Sequence, residues 1–180
     1  MRRIFAICLT AQVIALATLS LRNALAESDP IFTVTSSDFG KGATIPERYT
    51  CSGLNTSPNL EWSGVPNGTR SLALIVEDPD APEGTFVHWV IYNLSPDTKQ
   101  LPQGISSSNG SIGEQGINGR GETGYTGPCP PSGKPHHYHF QLYALDQKLQ
   151  LGPGATEAQV QSAMKGHVIG KAELVGIFGR

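Results

Sequence analysis

Gly124-Tyr125-Thr126-Gly127-Pro128-Cys129-Pro130-Pro131-Ser132-Gly133-Lys134-Pro135-His136-His137-Tyr138-His139-Phe140 changes character half-way along. Its first part cannot be helix or regular strand. Proline removes an amide donor and fixes φ, and glycine opens conformations other residues avoid. Its second part reads as a strand. Alternation puts His136, Tyr138, Phe140 and Leu142 on one face and His137, His139 and Gln141 on the other. A rigid Gly/Pro loop running into clustered imidazoles can wall a small pocket. The plainer alternative is a proline-rich loop ahead of a strand whose histidines face water.

Further strands lie on either side of this stretch. Ser71 to Glu77 and Val87 to Leu94 are nearly continuous apolar runs, the pattern of central strands buried on both faces. Asp78-Pro79-Asp80-Ala81-Pro82-Glu83-Gly84 ends the first of them abruptly. His136 to Leu145 is a third buried strand. Residues 31–36 alternate apolar and polar and read as a half-buried strand, and Ala172 to Phe178 reads as a closing one. Thr156 with Gln159 three residues on is a capping-box pattern. It predicts a helix to about Gly166, with Val160, Ala163, Met164 and His167 on one face. Residues 95–124 read as one long ordered loop. With 21 glycines and 13 prolines, the chain is turn-rich and its class mostly β.

The N-terminus reads as a secretory signal peptide. Arg2 and Arg3 precede a mostly apolar Ile4 to Leu21, and Ala24-Leu25-Ala26 is a small-residue cleavage site. Removing 1–26 leaves residues 27–180 as a single domain in a periplasmic or secreted location. The polar Thr10, Gln12, Thr18 and Ser20 argue against an uncleaved anchor, so no transmembrane anchor is expected after processing. Three arginines leave with the signal, from a chain whose net charge is already −2. No basic patch remains to attract nucleic acid. Cys51 and Cys129 survive processing, and an oxidising compartment favours a disulfide between them over two buried free thiols.

Polar residues gather at the strand ends. Asp78 ends one buried strand, His88 lies near the start of the next, and His136 and Tyr138 start the third. By alternation His88, Val90 and Tyr92 share a face. If the three strands are neighbours, Asp78, His88, His136 and Tyr138 meet at one rim. A carboxylate beside imidazoles favours the imidazolium, which attracts an anion, and glycine amides around Gly127 are candidates to cradle an oxyanion. A zinc site is a second reading of the same donors, without the usual H-x-x-x-H or C-x-x-C spacing. A nucleophilic hydrolase is a third, without a G-x-S-x-G elbow. The residues alone leave these open, together with a turn-capping Asp78 and solvated histidines.

Asp78-Pro79-Asp80-Ala81-Pro82, His88-Trp89, the Gly124–Gly133 stretch and His136-His137-Tyr138-His139-Phe140 resemble the phosphatidylethanolamine-binding protein family. The similarity is greatest to its bacterial Raf-kinase-inhibitor-like (YbhB/YbcL-type) branch. Thr50-Cys51-Ser52-Gly53, Ser57 to Trp62 and Ala172 to Gly176 fit that branch too, in order along the whole mature chain. The resemblance implies a β-sandwich with a large central sheet and a short helix near the C-terminus. It also implies a small cavity for phosphate, phosphoryl groups or similar anions. Carried onto this chain, Asp78, His88, His136 and Tyr138 line the pocket, and Gly127 and the backbone at Cys129 form a wall. Asp80 orients the Asp-Pro-Asp-Ala-Pro turn, with Pro82 and Trp89 in support. No catalytic residue, metal or cofactor is assigned. The expected partner is a small anion, with a protein partner (inhibition of a protease or kinase), a homodimer and a phosphoester-acting enzyme as alternatives. Two departures stand out: His137 where the family more often has Arg, and Arg120 where it usually has an aromatic residue.

Overall fold

Among the described residues, eight strands and one helix follow each other as β1 (Thr33–Thr35), β2 (Leu60–Ser63), β3 (Ser71–Asp78), β4 (Phe86–Leu94), β5 (Gln100–Leu101), β6 (Glu114–Gln115), β7 (His136–Leu145), α1 (Glu157–Met164) and β8 (Val168–Phe178). A 3-10 turn spans Glu47–Tyr49. The computed structural model describes residues 30–107 and 112–180, so the expected signal peptide lies outside the described residues. The strands form two antiparallel sheets, ordered β1-β2-β5 and β6-β4-β3-β7-β8.

The three apolar runs are adjacent at the centre of the larger sheet, and each face of that sheet meets its own core. Leu72, Leu74, Val76, Trp89, Tyr138, Phe140 and Leu142 pack toward the smaller sheet with Val34, Leu60 and Trp62. Ala73, Ile75, Val90, Tyr92 and Leu145 pack on the other face beneath Val160 and Met164 of α1. Burial on both sides explains why β3 shows no polar alternation until Glu77. Burying each such Leu, Ile or Phe contributes about 1.5–3 kcal/mol, which is what holds sheets and helix together.

The helix is capped as its sequence requires. The Thr156 hydroxyl accepts from the Gln159 amide and the Gln159 side chain accepts from the Thr156 amide. It stops at Met164, earlier than the periodicity predicts. His167 therefore sits in the following turn, and its Nδ1 donates to Asp146 Oδ1 at 2.9 Å.

Three other expectations change. The first strand is only three residues long. The last begins at Val168, paired with Leu145, and Gly170 within it fits where a Cβ would lie 2.6 Å from Pro66 Cγ. The segment 95–124 is not one loop: β5 pairs with β2, and β6 pairs with β4. Strands of two residues carry no readable period, which hides them in the sequence.

Candidate functional site

The register of β3 on β7 sets up the site. Val76 lies opposite Phe140 and Glu77 opposite His139, so Asp78, still paired with Phe86 of β4, ends β3 beside the first residues of β7. His136 Nδ1–H donates to Asp78 Oδ2 at 2.7 Å. The turn that follows folds back on itself: the Asp80 amide donates to Asp78 Oδ1 at 2.9 Å. Asp80 in turn accepts from the His137 amide and ring, at 2.9 and 2.7 Å. Asp80 thus ties the Asp-Pro-Asp-Ala-Pro turn to β7 and does not line the cavity. The His137 imidazole beside it holds its carboxyl below the usual range.

On the other side of β3 the alternation of β4 breaks. Val76 pairs with Trp89 but Glu77 pairs with Val87, so His88 is the extra residue of a β-bulge. Val87 and Val90 both pack toward the helix-side core, whereas Trp89 enters the inter-sheet core. His88 does not share a face with Val90 and Tyr92, as strict alternation predicts. Its ring stands edge-on to Tyr138, centroids 5.1 Å apart. Bulges near sites re-aim a side chain in this way.

Asp78, His88 and His136 are 4%, 3% and 7% exposed, so all three are largely withdrawn from water. They meet at a cavity of about 260 Å3, also lined by Pro82, Phe86, Arg120, Gly127, Cys129 and Pro130. His88 Nδ1–H donates to the Thr126 carbonyl at 2.7 Å. Because a carbonyl only accepts, this bond fixes the Nδ1–H tautomer and leaves Nε2 as an acceptor in the neutral ring. Burial lowers the His88 pKa; the Thr126 carbonyl and Asp78 oppose that shift, and Arg120 and His136 add to it.

Tyr138 lies against this cluster without lining the cavity. Its hydroxyl is fully buried and has no hydrogen-bond partner among the described residues. Burial, and then the nearby Asp78 carboxylate, push its pKa well above the ordinary tyrosine value. A buried orphan hydroxyl is costly unless something occupies its donor position. Trp89 plays a framework part, its Nε1–H donating to Gln115 Oε1 at 2.8 Å.

The Gly/Pro loop forms the opposite wall. Cys51 and Cys129 are disulfide-bonded, 78 positions apart in sequence with Cα atoms at 5.4 Å. The Cys51 amide donates to Pro128 O at 3.0 Å. Gly127 is required by space, since a Cβ there would lie 2.3 Å from Tyr49 O. Its amide is already spent on Asn55 Oδ1 at 2.7 Å, so the expected oxyanion cradle of glycine amides is not available at Gly127. Gly127 is wall, not donor.

Sequence reasoning missed Thr126, whose carbonyl orients His88 and whose hydroxyl accepts from Arg120 Nε at 3.0 Å. It also missed Phe86, whose ring packs at a tilt on His88 with centroids 4.8 Å apart, and Asn118, whose side chain organises the loop that carries Arg120. Only the Asn118-Gly119 turn pair offered a signal in the sequence.

Comparison with known proteins fits this geometry. The family model for phosphatidylethanolamine-binding protein matches residues 35–179. A UPF0098 protein of Methanothermobacter thermautotrophicus is 50% identical over 146 residues, covering 79% of this chain and 95% of its own. LppC of Mycobacterium tuberculosis, named as a lipoprotein, is 43% identical over 148 residues, covering 81% of this chain and 71% of its own. Among solved structures, the PEBP homologue CT736 of Chlamydia trachomatis superposes with a TM-score of 0.77 at 43% identity, over 83% of this chain and 98% of CT736. YbcL of E. coli, described as a member of the mammalian PEBP family, gives 0.78 at 35% identity, over 84% and 99%. With its matched span, its two antiparallel sheets and the short helix packed on the larger one, the chain belongs to the phosphatidylethanolamine-binding protein family.

Proposed function

We propose that this is an exported binding protein that takes phosphate, a phosphoryl group or a similar small anion in the cavity at the strand rim. The observation that carries the reading is the convergence of the His136–Asp78 pair, the tautomer-fixed His88 and Arg120 on one cavity. Arg120 offsets the Asp78 charge, so an anion need not meet an uncompensated carboxylate. Export is supported by the disulfide and by the lipoprotein name of one relative.

The test is thermal unfolding of the mature protein at pH 6 with phosphate and with phosphoethanolamine. A ligand bound only by the folded chain raises stability by RT ln(1 + [L]/Kd), about 2.7 kcal/mol at a hundredfold excess over Kd. Stabilisation is expected for the parent and lost in His136→Ala, with His136→Gln as a less disruptive companion. Equal binding by both variants and the parent refutes the pocket assignment. A second reading, catalysis at a phosphoester, rests on His88 Nε2, which has no hydrogen-bond partner among the described residues and accepts in the neutral ring. It requires turnover that His88→Ala abolishes while the fold persists.

A further inference from the structure

Asn-Gly occurs three times in the chain, at 67–68, 109–110 and 118–119, and the second lies outside the described residues. The dipeptide carries its own chemistry. The glycine nitrogen can attack the asparagine Cγ, because glycine has no Cβ to block the approach. The two described copies sit in opposite environments.

Asn118 is withdrawn from water, at 5% exposure, and its side chain is fully engaged. Its Nδ2 donates to Gly124 O at 2.9 Å, and its Oδ1 accepts from the Arg120 and Glu122 amides, at 2.9 and 3.2 Å. The nitrogen that would attack is engaged too, the Gly119 amide donating to Val87 O at 2.7 Å. A Cβ on Gly119 would lie 2.7 Å from the Phe86 ring, so this glycine is packed against an aromatic wall. Closing a ring between Asn118 Cγ and the Gly119 nitrogen requires all of these bonds to break together.

Asn67 is the reverse. It and Gly68 are exposed in the turn between β2 and β3. The bonds of this turn fall on its flanks: the Thr69 amide and hydroxyl both donate to Pro66 O, at 3.3 and 2.6 Å. Neither the Asn67 side chain nor the Gly68 amide has a hydrogen-bond partner among the described residues. Gly68 holds a left-handed φ of 88°, and beyond its chain neighbours the nearest atom to a Cβ built there is Ile169 Cδ1, at 4.0 Å. Both reacting atoms are free and unhindered.

We infer that Asn67 is a self-modification site: in the folded protein it deamidates through Gly68 to aspartate and isoaspartate, while tertiary hydrogen bonding protects Asn118. In the first step the Gly68 nitrogen gives its proton to solvent and bonds to Asn67 Cγ. The Cγ–Nδ2 bond breaks, Nδ2 takes up a proton and leaves as ammonia, and a cyclic imide remains. In the second step water adds to one of the two imide carbonyls and that carbonyl's bond to the ring nitrogen breaks. Opening at Cγ gives aspartate; opening at the main-chain carbonyl gives isoaspartate, with the chain running through Cβ and Cγ. Water is the only co-reactant. Either product adds a carboxylate to a turn that carries none between Gly64 and Arg70. The isoaspartate also lengthens the main chain next to Pro66, the residue for which Gly170 of β8 leaves room. Pro66 and Asn67 line a cavity of about 340 Å3 with Pro30 and Phe32. The modification therefore alters charge and shape beside the starts of β1 and β8, away from the Asp78 end of β3.

The experiment is timed incubation of the disulfide-intact protein at pH 8 and 37 °C, in parallel with a reduced sample in guanidinium chloride. A Glu-specific protease then cuts at Glu61, Glu77, Glu114 and Glu122, which leaves Asn67 as the one asparagine of 62–77 and Asn118 as the one asparagine of 115–122. Mass spectrometry reads loss of the amide in each peptide, and methyl transfer by an isoaspartyl methyltransferase reads the β-linked product. In the folded protein 62–77 should convert about tenfold or more faster than 115–122, because Asn118 reacts only from molecules whose loop has opened. In guanidinium chloride the two peptides should convert at comparable rates. Asn67→Gln, whose longer side chain closes a less favourable ring, should leave 62–77 unmodified over the same time. Equal rates in the two peptides of the folded protein refute the protection of Asn118. An unmodified 62–77 in the folded protein, when the denatured sample converts, refutes the site. Conversion of Asn67→Gln at the parent's rate refutes the cyclic-imide route.

Discussion

Removing the Cys51–Cys129 bridge should cost stability far more than it costs ligand affinity. The bonded residues lie 78 positions apart. On the chain-entropy model, closing a loop of that length removes about 4–5 kcal/mol of denatured-state freedom, an upper figure because real denatured chains keep some structure. A domain of this size loses about 2–4 °C of Tm per kcal/mol, so the melting point should fall by roughly 10–15 °C. The cavity wall has other anchors, however. Tyr125 donates to Tyr49 O at 2.7 Å, Gly127 to Asn55 Oδ1 at 2.7 Å and Cys51 to Pro128 O at 3.0 Å. Those bonds hold the wall in the folded state whether or not the sulfurs are joined. Urea unfolding of the parent and the Cys51→Ser/Cys129→Ser double variant gives the stability difference, and phosphate titration of both gives the affinity. A stability loss of several kcal/mol with a change in Kd of only a few-fold is expected. A loss below about 1 kcal/mol would refute the entropic account. A hundredfold loss of affinity would show that the bridge, not the hydrogen bonds, shapes the wall.

Other perturbations follow from single contacts. Gly127→Ala places a Cβ against backbone at 2.3 Å, so it should lose about 2–3 kcal/mol in urea unfolding, and full stability would contradict the packing. Gly119→Ala meets the Phe86 ring first, a side chain that can shift; a loss of about 1 kcal/mol is expected, with weakened phosphate binding as the wall moves. Glu77 is half-buried, and its carboxyl is raised by burial and then by Glu157. Its ionised form therefore opposes folding at pH 7, and Glu77→Gln should raise Tm by a few degrees there, a gain that vanishes as pH falls toward 4. The His88 pKa is lowered in the folded state, so the unfolded chain takes up that proton first. Its contribution to ligand-free stability is complete above about pH 6.5 and is lost as pH falls toward the lowered folded value. Compared by thermal unfolding across that range, His88→Leu should show a shallower decline than the parent, and identical slopes would contradict the shift.

Much of this architecture is legible because both sides of the large sheet are buried. Ser71–Asp78, Phe86–Leu94 and His136–Leu145 are apolar enough to be recognised as central strands, and the capping box marks the start of the helix. The face of His136 also follows from simple alternation. What the sequence hides is local irregularity. The bulge at His88 reverses the expected face without any glycine or proline to announce it. Two-residue strands inside 95–124 depend on partners distant in the chain. The spent amide of Gly127 depends on Asn55, held in a left-handed conformation at φ 55° far away in sequence. Such features arise from tertiary hydrogen bonding, which no local pattern encodes.

The central claim is that the cavity between the Asp78 turn, the bulge of β4 and the Gly/Pro loop holds an anion. The most direct measurement is a high-resolution crystal structure of residues 27–180 soaked in phosphate and, separately, in phosphoethanolamine. The account predicts a tetrahedral group in that cavity, within hydrogen-bond distance of His136, of His88 Nε2 and of the Arg120 guanidinium, in both soaks. A cavity holding only water at ligand concentrations that stabilise the protein, with the anion bound elsewhere, would contradict it.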